Sequence, residues 1–117
     1  LGHVCAFRVV QSLPKFILDA LHLDELTDSL EQIVTVGFAS ASKDLLRYAA
    51  EHELDLMGSG ATVSCALRRG NAIVVAWLGD SRAFVVTVAG EYRKIDLAAE
   101  PHTPADSTER QRLEQSG

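Results

Sequence analysis

Residues Ile73 to Leu78 are almost wholly apolar and run straight into Gly79-Asp80-Ser81-Arg82 before a second extended stretch begins. A carboxylate at the end of a buried strand can stay hydrated or meet a cation, and hard divalent cations are the natural guests of oxygen donors. The local alternative is a tight turn, in which Asp80 bonds to nearby backbone as Asp does between strands. Arg82 fits a surface strand position, an ion pair with Asp80 or a phosphate contact. At the start of the sequence, Gly2-His3 sets a backbone carbonyl able to ligate a metal beside an imidazole able to pass a proton, or simply a solvated His. Gly58-Ser59-Gly60 invites comparison with phosphate-cradling loops, yet it lacks their Lys-Ser/Thr ending and precedes a strand instead of a helix. It reads as a turn that lets the next strand enter a sheet. His22, His52 and His102 share no metal-ligand spacing, and Cys5 and Cys65 sit among apolar neighbours as small buried hydrophobes.

The elements that must position these residues follow from periodicity. Val4, Phe7, Val10, Leu13, Ile17 and Leu21 recur at spacings of three and four, which predicts a helix from Val4 to Leu21, kinked or divided at Pro14. A second helix is expected from Glu25 to Glu51, capped by Asp24, with Asp28 and Glu31 near its positive end. Its apolar pattern is Leu26, Leu30, Ile33, Val36 or Gly37, and Leu45. Past Leu56 the period becomes extended. Thr62–Leu67 and Ala72–Leu78 flank Arg68-Arg69-Gly70-Asn71 as a β-hairpin, and strands from Arg82 to Val88 and from Tyr92 to Leu97 flank a turn at Ala89-Gly90-Glu91. Ala105 to Gln115 reads as a short surface helix capped by Asp106 or Ser107. Two long helices, an antiparallel meander and a short C-terminal helix make an α+β unit.

Composition bounds the function classes. The chain has 117 residues, 47% of them hydrophobic, enough for one core. Its net charge of −5 argues against a nucleic-acid partner, which needs a concentration of Lys and Arg. Two cysteines sixty residues apart do not make a secreted disulfide framework, so an intracellular, cytoplasmic or nuclear setting is expected. No apolar run approaches the roughly 20 residues that span a bilayer, so no membrane partner is expected.

Taken in order, these signals resemble the central part of the metal-dependent type 2C serine/threonine protein phosphatases. In that family a helix pair follows Asp-Gly-His-Gly. A Ser-Gly-(Ser/Ala)-Thr-Ala strand comes next, then an apolar strand ending Gly-Asp-Ser-Arg, a Leu-x-x-Asp-His-x-Pro segment and Glu-x-x-Arg-Ile-x-x-x-Gly-Gly. This chain shows Leu1-Gly2-His3-Val4, Ser59-Gly60-Ala61-Thr62-Val63 and Gly79-Asp80-Ser81-Arg82 in the first three slots. It continues with Leu97 to His102-Thr103-Pro104 and Glu109-x-x-Arg112-Leu113-x-x-x-Gly117. The resemblance implies a partial α/β/β/α sandwich over residues 1–117. It also implies hydrolysis of phosphoserine or phosphothreonine in a phosphoprotein substrate by a water held between two Mg²⁺ or Mn²⁺ ions. Carried over by position, Gly2 offers its carbonyl to a metal, His3 is the general acid for the leaving alcohol, and Asp80 touches an additional, weaker metal position. No substrate-binding residue is assigned.

The departures shape the expectation as much as the matches. Leu1 stands where the family has its bridging Asp, Val4 replaces the second Gly, and Pro101 stands in for the Asp of the Asp-His segment, or that Asp is displaced to Glu100. The chain begins without Met and reads as a central fragment, without the family's N-terminal strand and C-terminal metal-site segments. Two function classes follow. One is a piece of a working phosphatase that is inactive alone. The other is a pseudophosphatase that keeps the fold as a protein-binding or regulatory module. An exposed sheet edge in such a piece invites self-association.

Overall fold

The computed structural model describes residues 1–23, 29–87 and 93–96. The expected Asp24 cap, the turn at 89–91 and the short helix at 105–115 lie outside the described residues. Two helices lead, α1 (Gly2–His22) and α2 (Leu30–Glu51), and four strands follow: β1 (Val63–Arg69), β2 (Ala72–Leu78), β3 (Phe84–Thr87) and β4 (Arg93–Asp96). The order is helices then antiparallel strands, consistent with a partial α+β unit. By contact the chain divides into two compact units, Leu1–Ala61 with Leu67–Val74, and Thr62–Ala66 with Val75–Gly117.

In the first unit, α1 packs along α2. The buried stripe of α1 is Cys5, Ser12, Leu13, Ile17 and Ala20, and that of α2 is Leu30, Ile33, Val34, Gly37, Ala41, Asp44 and Ala49. Small side chains at the crossing allow a close approach: a Cβ added to Gly37 would lie 2.5 Å from Cγ1 of Ile17. This corrects the expected stripes. Phe7 and Val10 are 65% and 70% exposed, and at the alternative of Val36 or Gly37 it is the glycine that is buried. Hydrophobicity favours Phe and Val, whereas the contact favours residues small enough for two backbones to approach.

Pro14 does not divide α1, which runs continuously through it. Nor does α2 begin at Glu25; it begins at Leu30, with Ser29 extended as its cap. Ser29 Oγ accepts from the Gln32 amide at 3.3 Å, and Gln32 Oε1 accepts from the Ser29 amide at 3.0 Å. This reciprocal capping box satisfies two donors at once. At the other end, the Leu54 amide donates to the Ala49 carbonyl at 2.9 Å and the Glu53 amide to Ala50 at 3.4 Å. That is the Schellman pattern, and it holds Glu53 at φ 52, a conformation usually left to glycine.

β1 and β2 form a two-stranded sheet. They are joined by Gly70-Asn71, a connection short enough only for antiparallel neighbours, and Gly70 supplies the positive φ of 61. β3 and β4 form a second, antiparallel pair in which Phe84 faces Asp96 and Thr87 faces Arg93. The expected strands are therefore present as two pairs, β1 with β2 and β3 with β4, and β1 runs on to Arg69. Among the described residues, no helix is long and apolar enough to cross a membrane.

Candidate active site

Leu1 is the cap of α1, and its carbonyl receives the amides of Val4 at 2.9 Å and Cys5 at 3.2 Å. Its side chain has no oxygen, so no side-chain bond closes this end of the helix. Gly2 and His3 open the first turn, Gly2 half-buried and His3 exposed. The reason for glycine at position 2 lies opposite it: an added Cβ would lie 3.1 Å from the Gly60 carbonyl oxygen. The Leu1-Gly2-His3 turn and the Ser59-Gly60 segment are thus brought together within the first unit. That segment is itself shaped by a turn in which the Ser59 amide donates to the Leu56 carbonyl at 2.9 Å, with Gly58 at φ 70. Asp55 Oδ1 accepts the Met57 amide at 2.8 Å and fixes the entry to that turn.

The second unit brings together the Thr and Asp-Ser motifs. After β2 the backbone turns at Gly79, whose φ of 91 is open to glycine and strained for other residues. A Cβ there would also lie 2.6 Å from Cγ2 of Thr62. Ser81 Oγ donates to Thr62 Oγ1 at 2.9 Å, so Thr62 and Ser81 tie the start of β1 to the turn that carries Asp80. Asp80 itself is exposed. No ion pair joins its carboxylate to another described residue, so the expected alternative of an Asp80–Arg82 pair is not formed. Thr62 was legible only as part of a motif, because its partner lies 19 residues away in sequence.

Among the described residues, no group of three or more His, Cys, Asp or Glu side chains converges to hold a metal ion. Gly2 and His3 belong to the first unit and Asp80 to the second. A binuclear site for hard cations needs several carboxylates, so the described donor set does not fit one.

The strongest electrostatic cluster lies elsewhere, at the α1–α2 contact. Asp44, whose side chain is only 4% exposed, accepts from Arg8 through Nε at 2.6 Å and Nη2 at 2.8 Å, and from Arg47 Nη2 at 2.9 Å. The Arg8 hydrogen bonds are the chief cause of an Asp44 pKa held down to about 2, against the opposing pull of burial. The same bonds raise the Arg8 pKa. The Arg8 guanidinium also lies 4.8 Å from the centroid of the Tyr48 ring, and Tyr48 stacks on His52 at 4.0 Å. None of this was anticipated from the sequence. The signal was there: Asp44 follows Gly37 and Ala41 at helical spacing on a stripe where apolar or small residues belong.

Comparison with known proteins agrees with these motifs. The protein phosphatase 2C family model matches residues 2–117. The chain is 33% identical over 104 residues to probable protein phosphatase 2C 69 of Arabidopsis thaliana, covering 89% of this chain and 25% of that one. It is 34% identical over 99 residues to protein phosphatase 1F of Rattus norvegicus, covering 85% and 20%. With probable protein phosphatase 2C 12 of Oryza sativa subsp. japonica the identity is 30% over 95 residues, covering 80% and 23%. The chain thus spans a quarter or less of the length of these three relatives. No solved structure matches it. With the family model matched over residues 2–117, the chain belongs to the protein phosphatase 2C family.

Proposed function

We propose that this chain is the central part of a metal-dependent serine/threonine protein phosphatase, whose substrates are phosphoproteins, and that it turns over no phosphoester by itself. The match of the family model across residues 2–117 carries the first half of this reading. The donor set carries the second. Leu1 occupies the slot of the bridging carboxylate, and no cluster of metal-ligating side chains stands among the described residues. Mg²⁺ or Mn²⁺, when bound by such an enzyme, activates the attacking water, and the carboxylates that would hold the ions come from outside the residues described here.

Within this reading the chain's own residues have limited tasks. His3, exposed on the first turn of α1, is the proton donor to the leaving alcohol. Gly2 contributes a carbonyl, and its lack of a side chain lets the Gly60 backbone approach. Asp80 stays exposed at the end of β2, held there by the Gly79 turn and the Ser81–Thr62 bond.

A second reading is favoured by one specific observation, a leucine whose side chain has no oxygen at the cap of α1 where an Asp is expected. Under it the parent is a pseudophosphatase that uses the fold to bind a protein. Mn²⁺-dependent phosphate release from a phosphothreonine peptide separates the two, measured on the full-length parent with its residue at the Leu1 position verified. Turnover that is lost on His3→Ala supports the enzyme. Absence of turnover with leucine verified, and its appearance in Leu1→Asp, supports the binding module. Turnover by the 117-residue chain alone would overturn the claim that it is inactive.

A further inference from the structure

We propose that the groove over the Arg8–Asp44–Arg47 cluster, between α1 and α2, binds a short acidic peptide segment. The groove has a volume of about 290 Å³ on the α1 side and is bordered there by Arg8, Lys15, Phe16, Asp44 and Arg47. A second hollow of about 360 Å³ shares Phe16, Asp44 and Arg47 and adds Lys43. The two depressions therefore adjoin around one aromatic ring, with four cationic side chains and a single carboxylate along them.

The charge balance of this lining is the observation that points to an anion. Asp44 is already engaged by both arginines, so its charge is matched within the floor. Lys15 and Lys43 are exposed and make no ion pair with a described residue. Arg8 turns Nε and Nη2 toward Asp44, while Arg47 turns Nη2 toward Asp44 and Nε toward Glu51 Oε1 at 3.9 Å, which leaves the Nη1 group of each guanidinium for an incoming carboxylate beside the two lysines. Positive charge is thus gathered at one place on a chain whose net charge is −5. That contrast selects the size of the ligand. A long polyanion or an anionic membrane extends beyond the groove and meets the net negative field of the chain, whereas a short acidic segment presents its carboxylates only where the cations are. Phe16, between the two hollows, offers an apolar contact to the peptide's aliphatic or aromatic side chains. Because Asp44 and Arg8 fix each other, the floor is rigid before any ligand arrives, which lowers the ordering penalty of binding.

The test uses the whole chain and needs no turnover, so its result is independent of whether the parent is an active phosphatase. A fluorescein-labelled decapeptide of alternating Glu and Leu is titrated by fluorescence anisotropy at low salt. Saturable binding is expected, with about a tenfold loss of affinity in Lys15→Glu/Lys43→Glu. The same charge change at the exposed hairpin pair, Arg68→Glu/Arg69→Glu, should leave affinity within about twofold. Lys15→Ala/Lys43→Ala, which adds no new charge, should give an intermediate loss. The proposal is overturned if wild-type binding is not saturable, if the Lys15/Lys43 variants bind as wild type, or if both pairs of reversals weaken binding equally. It is also overturned if an oligothymidylate or anionic vesicles bind as tightly with the same dependence on Lys15 and Lys43, because the ligand class is then a different one.

Discussion

Arg8 and Asp44, 36 residues apart in sequence, meet in a fork-to-fork ion pair, Nε to Oδ2 at 2.6 Å and Nη2 to Oδ1 at 2.8 Å. Arg47 adds a third bond to the same carboxylate, one helical turn away on α2. A nearly buried carboxylate is tolerable only with such partners, since removing one leaves the other uncompensated.

Replacing Asp44 by Ala should therefore destabilise the chain by about 3 kcal/mol, and Arg8→Ala/Asp44→Ala should be less destabilised than the two single changes added together. The pH dependence follows from an Asp44 pKa lowered to about 2 in the folded chain, below its usual value of 3.8. The contribution of this group is fully present above the unfolded value and is lost as pH falls from near 4 towards 2. Urea midpoints measured across that window should fall steeply in the wild type and more gently in Asp44→Asn.

Gly37→Ala should cost about 2 kcal/mol, because the added methyl lies 2.5 Å from Ile17 Cγ1 and the two helices must part. The usual gain in helix propensity from Gly to Ala works in the other direction and is smaller. Combining it with Ile17→Ala should give less destabilisation than the sum of the single changes, measured by chemical denaturation.

At the turn carrying Asp80, Gly79→Ala meets two obstacles, a φ of 91 and a clash with Thr62 Cγ2 at 2.6 Å. A loss of about 2–3 kcal/mol is expected. Thr62→Ser removes that methyl while keeping the hydroxyl that accepts from Ser81, so the double variant should recover part of the loss and retain the strain of the backbone. Equal melting temperatures for the single and double variants would assign the cost to φ and to the close approach of Thr62 Cβ, 3.1 Å from the added carbon.

Glu53→Gly should raise stability by about 1 kcal/mol, since Glu53 holds the left-handed position of the Schellman turn that glycine occupies without strain. A thermal melt checks it. Asn at the same position should fall between the two.

The order of elements is legible because local rules govern it, a helical period, an extended period and turn residues between, whereas the slots of Gly2, Thr62 and Gly79 are legible only through the ordered motifs of the family. The residues that decide how the elements meet were less legible. The stripe containing Phe7 and Val10 is the more hydrophobic choice, yet α2 packs against Cys5, Ser12, Leu13, Ile17 and Ala20. Small side chains win there through proximity of the backbones, a property of two helices together that one helix's periodicity does not encode. The start of α2 is ambiguous in the sequence for a different reason. Asp24 is as good a cap as Ser29 when taken singly, and only the reciprocal partner Gln32 distinguishes them. Asp44 is not legible from α2 alone because its explanation, Arg8, lies on another helix.

Pro14 gives the helix pair a further property. With no amide at this position, Val10's carbonyl receives no rung from above, and α1 has a soft point in the middle of its 21 residues. The halves on either side are secured separately, the C-terminal one through Ile17 against Gly37 and the N-terminal one through Arg8 on Asp44. Amide hydrogen exchange in α1 should accordingly proceed as two local openings. The turn bearing Gly2 and His3 belongs to the half that carries the ion pair beside buried Cys5, so acid should loosen that end of the helix before the other.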